Sequence, residues 1–372
     1  MKNLTFKPLN FLYLTLVYFF VATLLFEPSV SVLAASAGAA FVLGTIFSFG
    51  DFAGTLRAIQ VEIWQNHIEE EIFKNNEFLR ASHNADDNVI NSKVVHIPQS
   101  GGSGNVVKNR TTLPATIRKR TDTDIVYPLD EYTTDPVHIP HADTKELSYD
   151  KRQSVLSEDV AKIRQVIANW TLYNWTNSPN VGAYSASAIP VGNLVYTTGA
   201  ARAGVAPGAT GNRKAYTRND LQRMQTKFMQ EDRWLDGMMY CLLSPTALAE
   251  MFPADSIVTA TYSQNVTEEE RRKGILYKAN GWNIMSRSAA LVTKSDDTVA
   301  APGEAAAATD SEASVFWYKE AVEFAFGGVE AFERLRDPEF YGDIYSFLAR
   351  TGSRARRADY KGIALLREEP TA

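Results

Sequence analysis

The sequence has few residues of the kinds that build cross-linked or reactive sites. Of its 372 residues, one is cysteine and five are histidine. A single cysteine excludes an internal disulfide framework and any zinc site built from several cysteines. Because Cys241 stands in an apolar run with Leu242 and Leu243, we predict an inert core thiol rather than a nucleophile.

The sequence also lacks a strong net charge. It has 38 Lys and Arg against 43 Asp and Glu, a formal net charge of −5, and 45% of its residues are hydrophobic. This composition excludes general disorder. Proteins dedicated to binding free nucleic acid usually carry a basic surface, which the mildly acidic balance argues against. The length suits about two to three domains, or one fold with large insertions.

Motifs that signal catalysis or metal binding are missing. The sequence contains no His-Glu-x-x-His, no phosphate-binding Walker loop and no Gly-x-Ser-x-Gly. The cluster His138-x-x-His141-x-Asp143 has a metal-like spacing, but Pro140 interrupts it, so no helix would fix its geometry. We therefore predict no catalytic residues, no metal site and no cofactor.

The first 50 residues are almost free of charge. Between Lys7 and Asp51 the only charged residue is Glu27, and both Leu9–Phe26 and Val30–Phe49 are long enough to cross a bilayer. Three interpretations stay open. The segment is a membrane hairpin, a secretory signal cleaved among the small residues near Leu33–Ala37, or a hydrophobic arm buried in an oligomer.

Apolar residues at helical spacing predict several helices. Ser157 is the expected N-cap of the second helix, and Thr217 with Asp220 forms a capping-box pattern before the third. The predicted helices are Phe52–Arg80, Ser157–Asn174, a helix after Thr217, a short helix after Ser244-Pro245, Thr267–Arg272, and Phe316–Arg336 interrupted at Gly327-Gly328.

Strand-like segments alternate with loops in the rest of the chain. Residues 93–97 and 124–127 are rich in β-branched residues and predict a long two-stranded excursion with little core of its own. Such a hairpin is marginal alone in water and needs a surface to lie against. Further predicted elements are strands within Gly274–Leu291 around a turn at Asn280-Gly281, a mobile loop at Gly199–Lys214, a loop at Val299–Ser314, and strands Tyr345–Leu348 and Gly362–Leu366. The basic turn Arg350–Arg357 either pairs with acids such as Asp359, which we favour, or contacts a phosphate group.

The order of these features from Phe52 onward resembles the major capsid protein of tailed bacteriophages, which has the Hong Kong 97-like fold. The stretches that carry the resemblance are Phe52–Arg80, Pro136–Pro140 with Glu146–Asp150, Ser157–Asn174, Met238–Pro245 with Ala247–Phe252, Gly274–Ile284, and Phe316–Val322 with Gly352–Gly362. The pattern is most similar to coats of phages that infect Bacteroidetes-type hosts.

The resemblance implies an α+β fold with a defined order of parts. They are a hydrophobic N-terminal segment (1–50), an N-terminal arm (51–92), an extended hairpin loop (93–150), a peripheral domain with a long spine helix (151–243), an axial domain (244–340) and C-terminal strands that return to the peripheral domain (341–372). In the family the hairpin lies over the adjacent subunit.

The resemblance also implies partners and surfaces. The chain would assemble with itself into hexamers and pentamers of an icosahedral virion shell around packaged double-stranded DNA, which it would meet without sequence specificity. Scaffold, portal and decoration proteins are further expected partners. Assembly would occur in the bacterial cytoplasm, with residues 9–49 contacting the inner membrane. The subunit-interface candidates are Arg118, Lys119, Arg120, Asp122, Asp124, Trp64 and Ile68.

Two other functions stay open. The chain is alternatively a membrane-anchored enzyme or binding protein with a soluble domain after residue 50, which would be a monomer or small oligomer with a polar pocket. It is otherwise the shell of an encapsulin-like cellular compartment.

Overall fold

The chain folds as a mixture of helices and sheets, which confirms the predicted α+β class. The computed structural model describes residues 76–90, 94–102, 105–115, 117, 119–140, 151–178, 187–288 and 291–371. All of these belong to one compact unit, Ile68–Ala372. The hydrophobic N-terminal segment, and residues 51–75 and 91–92 of the predicted arm, lie outside the described residues. In the described ranges, no helix is long and apolar enough to span a bilayer.

Helices account for a minor part of the described chain. The α-helices are α1 (Lys151–Thr176), α2 (Arg218–Gln230), α3 (Pro245–Met251), α4 (Ile257–Gln264) and α5 (Glu268–Arg272). Short 3-10 helices span Glu77–Ala81, Asp86–Asn88, Val191–Asn193 and Lys319–Ala321. The first of these takes the place of the α-helical end predicted for Phe52–Arg80.

Strands make up most of the rest. They are β1 (His83–Asn84), β2 (Val89–Ile90), β3 (Val94–Gln99), β4 (Thr123–Pro128), β5 (Asp130–Thr133), β6 (Val137–Pro140), β7 (Asn177–Ser178), β8 (Ser187–Ala188), β9 (Leu194–Tyr196), β10 (Ala201–Ala203), β11 (Asn212–Lys214), β12 (Met239–Leu243), β13 (Tyr277–Ala279), β14 (Trp282–Ser286), β15 (Leu291–Thr293), β16 (Ser311–Tyr318), β17 (Val322–Asp337), β18 (Gly342–Ala355) and β19 (Ile363–Arg367).

Two of the predicted helix starts are confirmed by their caps. The Thr217 backbone N–H donates to Asp220 Oδ2 at 3.0 Å, which closes the capping box before α2. Ser244 Oγ accepts from the Ala247 N–H at 3.0 Å, so α3 begins after its cap with Pro245 in the first turn. In both cases a side chain satisfies a backbone group that has no partner within the helix.

The long helix α1 is confirmed, but its predicted cap is wrong. The helix begins at Lys151, six residues before the predicted start, so Ser157 lies within it rather than at its N-terminus. Its buried face includes Val160, Ile163 and Ile167, as the helical spacing predicts. Near its end the Trp175 indole N–H donates to the Glu323 carbonyl at 3.1 Å, which ties α1 to β17.

The prediction of a helix over Phe316–Arg336 is wrong. This stretch forms the end of β16 and nearly all of β17, and β17 pairs antiparallel with β18. From Ala331 to Arg336 half-buried and exposed residues alternate, which is the period of a strand. The register of the pair shifts between Phe326 and Gly328, where the helix break was predicted.

Three segments that the sequence predicts as loops or turns contain strand residues. Gly199–Lys214 contains the antiparallel pair β10–β11, so it is not a mobile loop throughout. The basic stretch Arg350–Arg357 is mostly strand rather than turn, since β18 continues to Ala355. The last residues predicted as loop in Val299–Ser314 belong to β16.

The strands form two main sheets. One has the order β1-β17-β18-β5, with β6 also paired to β18, and the other has the order β13-β14-β12-β16-β19-β9, with β15 paired to β16. Pairing thus places residues 322–355 in the first sheet, and residues 363–367 in the second beside strands between 194 and 318.

The seven-stranded sheet carries the larger aromatic core. Trp282 is fully buried and makes edge-to-face contacts with Phe228, Trp234 and Phe316 at ring-centroid distances of 5.1, 5.2 and 4.9 Å. Cys241 is buried in the same core, and burial raises the pKa of its thiol well above the ordinary value. A protonated thiol in this position is the inert core residue that the sequence predicts.

Candidate subunit-interface site

An extended hairpin, formed by β3, β4 and the connecting residues, leaves the body of the molecule. The two strands pair antiparallel from Val94 opposite Pro128 to Gln99 opposite Thr123, and β2 adds a third strand beside β3. These strands confirm the β-prone segments seen in the sequence. We call residues 100–122 the hairpin tip. In the described part of the tip there is neither helix nor strand.

The hairpin root is anchored to the body by a small core. Val95, Ile97 and Tyr127 are buried in one cluster with Ala325 of β17. The Gln99 side-chain amide donates to the Arg356 carbonyl at 2.7 Å, which adds a polar tie at the other edge of the root. The orientation of the strands is therefore fixed where they join the body.

Leu129 fits into a socket made by two glycines. A Cβ atom at Gly352 would lie 2.5 Å from Leu129 Cδ2, and one at Gly327 would lie 2.5 Å from Leu129 Cδ1. Both distances are too short for real contacts, so only glycine at these positions of β17 and β18 lets Leu129 pack as it does. We call this arrangement the Leu129 socket.

A buried carboxyl group also holds the root. The Tyr127 hydroxyl donates to Glu323 Oε1 at 2.7 Å, and Arg356 Nε lies 3.3 Å from Glu323 Oε2. Burial raises the pKa of Glu323 above its ordinary value. Burial, and then the charge of Glu323, raise the pKa of Tyr127, so the phenol stays protonated and acts as a donor. The arrangement fixes the root of the hairpin against β17.

The hairpin tip, in contrast, exposes apolar side chains. The exposed fractions of Val106, Val107, Leu113 and Ile117 are 96, 52, 78 and 98%. Sequence reasoning did not single out these residues. The signal was present, since they are the aliphatic positions in a stretch otherwise rich in Gly, Ser, Asn, Thr, Lys and Arg.

Two of the predicted interface charges pair with each other. Arg120 Nε lies 2.6 Å from Asp122 Oδ1, and that oxygen also accepts the Gly101 N–H at 2.9 Å. The Arg120 guanidinium holds the pKa of Asp122 below its ordinary value. Both side chains are more than half exposed, so their mutual attraction is screened by solvent.

The other predicted interface residues are placed apart from this pair. Asp124 Oδ2 contacts His96 Nδ1 at 2.5 Å across the two strands. Lys119 is exposed. Arg118, Trp64 and Ile68 lie outside the described residues.

The chain after the hairpin rejoins the body. β5 pairs with β18 from Asp130 opposite Thr351 to Thr133 opposite Leu348, and β6 pairs with the far part of β18. The extended hairpin loop was expected to span residues 93–150. Its residues 130–140, which contain β5 and β6, are instead part of the five-stranded sheet. Residues 141–150 lie outside the described ranges.

A second charged cluster links the seven-stranded sheet to its neighbouring elements. Arg202 contacts Glu250 and, through Nη2, Glu368 Oε1 at 2.7 Å. The Glu312 side chain accepts a hydrogen bond from Ser244 Oγ. The cluster ties β10, α3, β16 and the end of β19 together. Over the described ranges no group of three or more His, Cys, Asp or Glu could hold a metal ion.

Comparison with known proteins is informative at the level of structure. No protein-family model and no curated protein matches the chain. The capsid of Ralstonia phage GP4 is 14% identical over 78% of this chain and 88% of that one, with a TM-score of 0.52. The capsid of cyanophage Pam1 is 12% identical over the same shares, with a TM-score of 0.53. The sheets, the long helix and the extended hairpin thus form the Hong Kong 97-like fold of tailed-phage capsid proteins.

Proposed function

We propose that the protein is the major capsid protein of a tailed phage and assembles with itself into hexamers and pentamers of an icosahedral shell around double-stranded DNA. The observation that carries this proposal is the hairpin: its root is fixed and its tip exposes Val106, Leu113 and Ile117. The likeness of the fold to two phage capsids supports it. We infer a structural role and no enzymatic one.

The physics of the tip favours a neighbouring copy as its cover. Apolar surface gains about 25 cal/mol for each Å² removed from water, and the tip has no core of its own to provide that burial. The contact made by one tip is weak in a single pair of subunits, but it is repeated at every position of a closed shell. Lys119, Arg120, Asp122 and Asp124 would set the register of such contacts by charge complementarity.

The finer parts of the proposal rest on the sequence resemblance. They are the virion location, non-specific proximity to packaged DNA, scaffold, portal and decoration partners, a Bacteroidetes-type host, and the division into arm, peripheral and axial domains. Contact of residues 9–49 with the host inner membrane is tested by vesicle flotation of the full chain and of a chain lacking residues 1–50. Equal partitioning of the two would contradict it.

The proposal is tested by removing the apolar character of the tip. In the full chain, Val106→Ser, Leu113→Ser and Ile117→Ser are combined, and particles are measured by sedimentation and negative-stain microscopy. We expect wild type to form shells, capsomers or tubes, and the variant to stay as smaller species, because the side chains lost make no core contact within the subunit.

The matched control changes three exposed apolar residues elsewhere. Val191→Ser, Met229→Ser and Leu235→Ser remove similar side chains from the body, and this variant should assemble like wild type. A wild-type chain that remains monomeric, or a tip variant that assembles at the wild-type concentration, would overturn the proposal.

A further inference from the structure

A basic pocket lies beside the hairpin, where the end of β3 meets the turn after β18. Its volume is about 330 Å³. Its walls come from the end of β3 with the first residue of the tip, the segment after α2, the end of β16 with the 3-10 helix that follows it, and the turn between β18 and β19. The side chains that matter for its charge are Ser100, Arg233, Glu320, Arg356, Arg357 and Lys361.

Two of the four cations in this pocket are already neutralised. Arg356 Nη1 lies 3.2 Å from Glu320 Oε2, and Arg356 also contacts the buried Glu323 from behind. Arg357 Nη2 lies 2.7 Å from Asp359 Oδ2. The carboxylates at this place are thus engaged with these two arginines.

The other two cations have no such partner. In the described ranges neither Arg233 nor Lys361 forms an ion pair with a carboxylate. Arg357 and, to a smaller extent, the charge of Lys361 lower the pKa of Asp359, but the ion pair of Asp359 is with Arg357. The nearby Glu231 is held by Lys227, whose Nζ lies 2.7 Å from its Oε1, and its other oxygen accepts the Gly362 N–H at 3.4 Å. The pocket therefore keeps positive charge that the described chain does not balance.

We propose that this pocket binds a phosphate group between Arg233 and Lys361. A phosphate dianion has about two negative charges and three strong acceptor oxygens, so it balances both cations, whereas a carboxylate balances one. Guanidinium groups also match phosphate oxygens in paired hydrogen bonds, and the Ser100 hydroxyl lines the same space.

The bound phosphate would connect the tip to the body. Ser100 directly follows Gln99, whose side chain already bonds to the Arg356 carbonyl. A ligand between Ser100 and Lys361 adds a second link at this point and so restrains the direction in which the tip leaves the body. Free phosphate and the phosphodiesters of DNA both present anionic phosphate oxygens, but a phosphodiester carries one negative charge and so balances only one of the two cations. A DNA source rests on the proposed function, whereas binding of the group itself does not.

The experiment uses the full chain with Arg233→Gln and Lys361→Gln combined. The matched control, Arg272→Gln with Lys273→Gln, makes the same changes at exposed residues far from the pocket in sequence. Inorganic phosphate is titrated at constant ionic strength by calorimetry. We expect wild type and control to bind, and the pocket variant to bind at least tenfold more weakly. The single variant Lys361→Gln, at an exposed side chain, should weaken binding in the same direction if the double variant fails to fold.

A second arm distinguishes the source of the phosphate. Binding of a short DNA duplex is measured against salt concentration, where each phosphate contact contributes about 0.9 to the slope of log K against log salt. A slope smaller by about 0.9 in the pocket variant alone, the value for one phosphate contact, assigns the site to DNA. An unchanged slope with lost phosphate binding assigns it to free phosphate. Equal phosphate binding by wild type, control and variant overturns the proposal, whether or not the chain forms shells.

Discussion

Glu312 shows how one buried carboxyl group can make stability depend on pH. Glu312 is 8% exposed. Its carboxyl group accepts a hydrogen bond from Ser244 Oγ, and its backbone N–H donates to Oε2 of the buried Glu368 at 3.1 Å. Burial is the largest cause that raises the pKa of Glu312, and the negative charge of Glu368 adds to it. The hydrogen bond from Ser244 acts in the opposite direction but does not cancel burial.

The direction of that shift fixes the sign of the pH dependence. Above the ordinary pKa of 4.5, the folded chain retains a proton that the unfolded chain has lost, so the free energy of unfolding falls as pH rises through the raised pKa. Glu312→Gln removes this proton and keeps an acceptor for Ser244. Urea unfolding is measured from about pH 5 to about pH 7. We expect the free energy of unfolding to fall less steeply with pH in the variant than in wild type, and the difference in slope to correspond to at most one bound proton. Identical slopes would contradict this assignment.

The turn between β13 and β14 depends on glycine for two separable reasons. Gly281 has φ +74°, and a Cβ there would lie 2.5 Å from Trp234 Cζ2. Gly237, which precedes β12, serves as the comparison: it has φ +83°, and nothing lies within 4 Å of its Cβ position. Gly237→Ala should cost about 1–2 kcal/mol from backbone strain alone. Gly281→Ala should cost measurably more in denaturant titration, because the indole must also move, and equal costs would show that Trp234 yields freely.

At the scale of elements, the Leu129 socket decides how firmly the hairpin is held. In Gly352→Ala the new methyl group meets Leu129 Cδ2 and, at 2.9 Å, the ring of Tyr127. We expect the root to open more often, with amide exchange at Val95–Ile97 about tenfold faster, which corresponds to about 1.4 kcal/mol. Gly192→Ala, with nothing within 4 Å of its Cβ position, is the control. Unchanged exchange in Gly352→Ala would mean that Leu129 is not what fixes the root.

The same sheet shows where sequence reasoning fails. Val322–Asp337 contains Glu, Ala, Leu and Arg, which favour helix, and its period of two is broken at Gly327-Gly328. The strand forms because β18 offers a partner along nearly all of its length. β18 is a separate segment, so a prediction from the residues of β17 alone does not include it. Pairing with β18 therefore overrides the helix propensity of β17. Elements fixed by local signals, such as the caps at Thr217 and Ser244, were predicted correctly.

The candidate site was predictable to the same extent. The β-branched segments of the hairpin are local signals, and they identified β3 and β4. The socket around Leu129 was not predictable, because it requires two glycines on different strands to meet one side chain. The pairing of Arg120 with Asp122 is a local contact, but the sequence alone could not tell it from a contact between subunits.

At the scale of the whole molecule, the hairpin and the body have unequal roles. The body has its own aromatic core and two sheets, which stabilise it without a partner. The tip adds exposed apolar surface and charge but no burial of its own. In this design the core of the body stabilises the fold and the tip serves contacts with a neighbour, so assembly should respond to changes at the tip that leave the fold intact.

The Arg120–Asp122 pair at the base of the tip offers a direct test of whether assembly can change while the fold does not. Arg120→Asp combined with Asp122→Arg preserves an ion pair within the chain while it reverses the charges shown to a neighbour. We expect the fold to be unchanged and the concentration needed for assembly to rise about tenfold, which corresponds to about 1.4 kcal/mol, because like charges brought opposite each other repel and solvent screens this exposed pair. The difference should shrink in high salt, since screening weakens such contacts. Light scattering against protein concentration measures it.

The control is the same exchange at a pair with the same residues and spacing, Arg357→Asp with Asp359→Arg. In both pairs the arginine contacts an aspartate two residues later, and that aspartate accepts a backbone N–H, from Gly101 or from Lys361. With DNA and inorganic phosphate both absent, so that the pocket lined by Arg357 is empty, this control should assemble like wild type. If both exchanges leave assembly unchanged, Arg120 and Asp122 serve only to close the base of the tip, and the register of the shell must be set by its apolar side chains.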